Sequence, residues 1–273
     1  IAEFTTTQIA GLATTQVRGL TETAVAALAA TQIAALTVPQ IQSLSTTSLV
    51  GFADTQIGAL TTTQIGGLLA PQVSAFGATT VAALTATQIS AMSATQLAAL
   101  GATNFAALDT TQIGALTATQ MRSLTTSQIA SIDAGQVSSF TTTQLTQLSG
   151  TQLKSLSTSN LSALDTTQMA SLTATQVASL TTTQIAGLVA GDIGEMTTGQ
   201  LQALVTTQVA SLTTEAVSAL TTTQVGAMRT TQIQGLTTTQ LGALDATDMG
   251  EFTTTQLQSL TTAQVAGLTP TNA

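Results

Sequence analysis

Thr5-Thr6-Thr7-Gln8-Ile9-Ala10-Gly11-Leu12 opens a frame of eight residues that runs without insertion or deletion to Leu268. Thirty-three octads fill residues 5–268. Residues 1–4 read as the end of a preceding unit and residues 269–273 as the start of a following one. The expectation is therefore one continuous array over 1–273, excerpted from a longer one, and internal repetition of this kind decides the fold before any other signal.

Within the frame, position five is always apolar and position eight is always Leu, Phe, Met or Ile. Position four is Gln in 25 of 33 octads, which makes it as diagnostic as the core positions. Position one is Thr, Ser, Asp or Gly in 26 of them, the residues that favour a helix N-cap. With position one as N-cap, the Gln at position four is N3 and completes a capping box, while positions eight and five form a hydrophobic staple across the cap. Pro270 then falls at N1, and Pro39 and Pro71 at N2, inside the first turn where no backbone N–H is needed.

An unbroken helix is excluded, because eight residues turn by roughly 800° and the apolar pair would drift around the axis. A lone helix of about seven residues does not survive in water, since nucleation is costly. The frame thus predicts an all-α solenoid of short capped helices, about seven residues each, stacked on one another. The alternative is a β-solenoid with Thr ladders, which Thr, Ile and Val favour. Against it, the apolar spacing of three and five does not alternate as a strand requires.

The exceptions at position four carry a second period. They are Ala24, Ser48, Thr80, Asn104, Asn160, Asp192, Ala216 and Asp248, with Asn272 in the last partial unit. Counted in octads they step by three and four alternately, with one site skipped, which averages to 28 residues. This is a heptad-like pattern written in repeats. It predicts about 3.5 octads per solenoid turn, with the exceptions on one side. By analogy with coiled coils that side reads as a self-association stripe, so the chain itself is the expected partner. Lys at Ala24, Ser48 and Thr80 should then disturb assembly, and Lys at ordinary Gln positions should not.

Only 6% of the 273 residues are charged, against roughly 25% in typical soluble domains. Cys, His, Trp and Tyr are absent, which removes disulfides, thiolate or imidazole metal sites and Ser-His-Asp or Cys-His catalysis. No enzyme is expected. The net charge of −8 argues against nucleic acid, and no apolar run is long enough for membrane insertion. The twelve acids all fall in octads on the same side as the exceptions, and the four bases Arg18, Arg122, Lys154 and Arg229 nearly opposite. Within the acidic stripe Asp192 and Glu195, and Asp248 and Glu251, sit three apart and share a helix face. Their oxygens make them the Ca²⁺ candidates, although no Ca²⁺-binding loop surrounds them. The bland reading, exposed acids that keep an apolar array soluble, competes with it. Local capping explains the Gln column with fewer assumptions than amide ladders between turns. The Thr surface would suit ice binding only on flat β faces. The six Phe and six Met residues read mainly as core.

Arrays of Thr-Thr-x-Gln-(Ile/Val)-x-x-Leu, such as Thr181-Thr182-Thr183-Gln184-Ile185-Ala186-Gly187-Leu188, resemble tracts in very large repetitive bacterial proteins described as adhesin-like or secreted. The resemblance implies an extracellular or cell-surface structural protein, a fibre or a stalk. Far-ultraviolet circular dichroism should accordingly give a helical double minimum; a single β minimum would remove the capped-helix reading.

Overall fold

A computed structural model describes residues 1–268. Among them are 33 short α-helices, one per octad from Thr6–Ala10 to Thr262–Ala266, and no strand. The chain divides into two compact units, residues 1–139 and 140–273. Each is a stack of helical turns, an all-α solenoid.

The octad folds as its grammar requires, with one difference in length. The helices span four to six residues instead of about seven. Two to four residues per octad lie outside the helix, and the chain reverses where positions eight and one take extended backbone. Leu68 has φ −59° and ψ 144°, and Thr61 has φ −68° and ψ 157°. The Thr61 hydroxyl accepts from the Gln64 backbone N–H at 3.2 Å, and Gln64 Oε1 accepts from the Thr61 N–H at 2.8 Å. Where position one is Ala13, Ala29 or Ala53 there is no hydroxyl to accept, yet the Gln half of the cap remains, as in Ala53 N–H to Gln56 Oε1 at 2.8 Å. Pro39 and Pro71 sit at the second helical position, as expected. Pro270 and Asn272 lie outside the described residues.

One junction departs from the frame. Leu100 is helical at φ −60° and ψ −26°, and Gly101 has φ +68°, the single positive φ among the described residues. A Cβ on Gly101 would meet nothing within 4 Å. Glycine is needed there for its backbone conformation, not for space.

Positions five and eight form the core of each unit. Ile33, Ile65, Ile89, Leu201 and Leu241 are fully buried, and Leu36, Leu60 and Leu236 nearly so. Each such side chain contributes about 1.5–3 kcal/mol by leaving water, which a five-residue helix can realise only by stacking. Phe52, Phe76, Phe105, Phe140 and Phe252 are core residues, while Phe4 is exposed. Met92, Met121, Met169, Met196 and Met228 are likewise buried.

The turns are joined by the Gln at position four. In the first unit Gln72 Nε2 donates to Ile41 O at 2.9 Å and to Leu44 O at 2.9 Å, 31 and 28 residues earlier. In the second, Gln240 Nε2 donates to Val209 O at 3.0 Å and Leu212 O at 2.7 Å. Each amide therefore reaches the octad four places back. The octad three places back is touched as well. A Cβ on Gly67 would lie 2.4 Å from the Val38 side chain, and one on Gly235 3.2 Å from Thr206 Cα. Gln42 Nε2 also donates to Gly67 O at 2.8 Å. Within each unit a helix beyond the first turn thus touches two octads of the preceding turn, which is what 3.5 octads per turn means geometrically.

The Gln amide accordingly does more than cap. Its Oε1 serves its own helix and its Nε2 serves another turn, binding backbone carbonyls and not a neighbouring amide. The preference for capping alone is corrected by this: both roles are filled at once. The orientation of the amide is fixed by chemistry, since a backbone N–H needs an oxygen and a carbonyl needs an N–H donor. Gln88, buried at 3% exposure, donates to Ile57 O at 3.0 Å and Leu60 O at 2.7 Å, whereas Gln8 is exposed and lies in the first turn, where it caps at 2.8 Å. Gln88→Glu, which keeps the cap but presents oxygen to those carbonyls, should cost about 1–3 kcal/mol. Gln8→Glu should be nearly neutral. Thermal unfolding and hydrogen exchange of the two variants check the difference, and equal losses would mean that the inter-turn bonds contribute little.

Candidate functional site

Position four is the place where the octads differ, so the exceptions are the first candidates for a site. They are turned into the stack, not out of it. Ser48, Asn160 and Asp192 are buried and Ala216 is fully so; Ala24, Thr80, Asn104 and Asp248 are half-buried. The ordinary Gln residues from Gln32 to Gln264 are buried too. Lys at a Gln position would therefore break the inter-turn bonds, and the expected contrast between the two sets of Lys substitutions is lost for a structural reason.

Six of the eight described exceptions fall into three chemical kinds. Ser48 and Asn104 keep a shortened version of the tie. Ser48 Oγ donates to Leu20 O at 2.7 Å, and Asn104 Nδ2 to Phe76 O at 2.6 Å, each 28 residues back. Ala24 and Ala216 offer no polar side chain; their backbone N–H groups are capped by Thr21 and Thr213 at 3.2 and 3.1 Å. Asp192 and Asp248 keep only the cap. Asp192 Oδ2 accepts from the Val189 N–H at 3.0 Å, and Asp248 Oδ2 from the Asp245 N–H at 3.1 Å. A carboxylate has no proton to give to the carbonyl below. By the 28-residue register Asp192 stands over Leu164 and Asp248 over Leu220. A small cavity with room for about one water is lined by Val217, Leu220, Asp248, Glu251 and Phe252.

The Ca²⁺ candidates do not assemble a cage. Glu195 Oε1 accepts from the Thr166 hydroxyl at 2.6 Å, and Glu251 Oε1 from the Thr222 hydroxyl at 2.9 Å, both across one turn. Among the described residues no three acidic, Cys or His side chains come together to hold a metal. Ca²⁺ takes six to eight oxygens, so two carboxylates with one oxygen each already engaged fall short. Every fully enclosed polar side-chain atom among the described residues has a partner.

The charged side chains are mostly at the surface. Glu22, Asp54, Asp109, Asp133, Asp165, Glu215 and Asp245 are exposed, as are Arg18, Arg122, Lys154 and Arg229. Asp109, Asp133 and Asp165 are N-caps, accepting from Gln112, Gln136 and Gln168 at 2.7–2.8 Å. The Glu215 carboxyl is held below its ordinary value by its own backbone N–H, with smaller help from the hydroxyls of Thr214 and Thr213. Capping was thus legible for these acids, while the Thr166–Glu195 and Thr222–Glu251 bonds were not, since they depend on which turns touch.

Asp192→Asn and Asp248→Asn should each restore a donor to the turn below at the reach Asn104 already demonstrates. The expected gain is on the order of 1 kcal/mol each, since satisfying the carbonyl outweighs losing a favourable charge near a helix start. A calorimetric melt of the double variant checks it; an unchanged or lower midpoint would mean those carbonyls are already satisfied.

No helix among the described residues is long and apolar enough to cross a membrane. No curated protein matches the chain. Two segments, residues 105–142 and 193–230, match the family model described as the ALTTAQ repeat. Both matches begin at position five of an octad, directly after the exceptions Asn104 and Asp192, so this chain is similar to that family of repeats in the same eight-residue frame.

Proposed function

We propose that this chain is a structural, non-catalytic repeat protein whose solenoids self-associate into an extracellular fibre or surface stalk. The observation that carries the reading is the two-ended Gln amide. Most octads bring their own core residues, their own cap and their own tie to the turn below, as Gln72 and Gln240 do, so the array can be extended octad by octad without a new fold. Such a chain is suited to spanning distance. The residue types present support a passive role, because the nucleophile and base pairs of common hydrolases are missing. The extracellular placement rests on the likeness to secreted repetitive proteins.

The burial of Ser48, Asn160, Asp192 and Ala216 favours a second reading, a stalk without lateral assembly, because those four residues offer a partner little to hold. Sedimentation velocity over a wide concentration range separates the two. A mass that rises with concentration is expected for the fibre. A monomer at all concentrations would leave the unassembled stalk.

A further inference from the structure

We propose that copies of this chain meet with the acidic face of one against the basic face of the next; this rests on the self-association proposed above and names the surfaces that make it. In the first unit the exposed acids Glu22, Asp54, Asp109 and Asp133 belong to octads three, seven, fourteen and seventeen. Each step is one or two stacking intervals of three or four octads, so these acids form a column. In the second unit Asp165, Glu195, Glu215 and Asp245 belong to octads 21, 24, 27 and 31, with the same intervals. The Thr166 hydroxyl on Glu195 proves the contact between octads 21 and 24 directly. At about 103° per octad, Arg18 and Arg122 of the first unit lie on the far side from its acids, and Lys154 and Arg229 of the second unit likewise.

Three properties make a second copy the fitting partner. The four basic side chains are exposed, and their octads are not the ones that stack on the acids. The complementary face exists on the same chain. And with so few charges overall, the separation of acids from bases within each unit dominates that unit's surface field. A face that pairs with a different face of the next copy is heterologous, so assembly stays open instead of stopping at a dimer. Exposed pairs are individually weak and screened by salt. The few pairs that the four bases of one copy can make add through effective concentration once a first pair has formed.

The test compares the wild type with two charge-reversed chains by sedimentation velocity, with circular dichroism as a control for folding. The basic-face variant carries Glu at Arg18, Arg122, Lys154 and Arg229. The acidic-face variant carries Lys at Glu22, Asp54 and Glu215, which are not N-caps. Wild-type association should weaken by roughly tenfold or more on going from low to physiological salt. The basic-face variant should remain monomeric alone. An equimolar mixture of the two variants should associate again, because the new acidic face of one meets the new basic face of the other. A wild-type monomer at every salt concentration overturns the self-association reading and this proposal together. Assembly that ignores both salt and reversal overturns the charge pairing alone and leaves self-association standing. Assembly lost in EDTA but kept by the basic-face variant overturns it in favour of a cation bridging two acidic faces.

Discussion

One amide group joins everything in this fold. The side chain at position four has an oxygen at one corner and two N–H donors at the other. A short helix has unsatisfied N–H groups at its start and unsatisfied carbonyls at its end. In Gln40 the oxygen accepts from Thr37 N–H at 2.7 Å, while the nitrogen donates to Leu12 O at 2.7 Å and Ile9 O at 3.0 Å. The start of one helix and the end of another, a full turn apart, are completed by the same residue. Buried amides are costly unless every lone pair and proton is matched, and here they are. No other common side chain has both functions at that length: Glu lacks the donor, Asn is a methylene shorter, and Lys lacks the acceptor.

This explains why helices of four to six residues persist. Their own hydrogen bonds cannot hold them, and their two apolar residues are too few for an isolated core. Stacking gives the apolar side chains of the inner turns neighbours above and below, while Leu257 and Val265 near the end stay exposed, and the amide fixes the spacing at which that stacking occurs. Positions at which the chain approaches the next turn most closely are set the same way. A Cβ at Gly51 would fall 2.4 Å from Glu22 Cγ, and one at Gly187 2.8 Å from Thr158 Cγ2, so the glycines there permit contact that alanine would resist.

Much of the architecture was legible in the octad itself. The cap, the boundary near position eight, the core pair and the 28-residue turn all follow from residue types at fixed spacing. The turn length was readable because Asp192, Ala216 and Asp248 break the Gln column at intervals that only a stack of 3.5 could align. What the residues could not reveal was the second end of the amide. A capping box is visible over three residues, whereas acceptors 28 and 31 residues away exist only once the turns are in place. The same limit applied to the exceptions. Their periodicity marks a side, but periodicity cannot say whether a side chain at that angle points out or into the seam between turns, and Ser48 and Asn104 point in. The Leu100–Gly101 junction was hidden for a related reason, since Gly occupies many places in this chain without needing a positive φ.

Octads with Gln at position four make the same bonds to their neighbours, so that part of the scaffold has no memory of which copy stands where. Loss or gain of one whole octad, the ordinary accident of repetitive genes, would leave the hydrophobic interior and the amide ties intact. It would nevertheless rotate everything downstream by more than a quarter of a circle. Glu22 and Asp54, or Asp165 and Glu195, would no longer fall in line. Folding is therefore indifferent to slippage of the coding repeats, while the alignment of surface decoration is not.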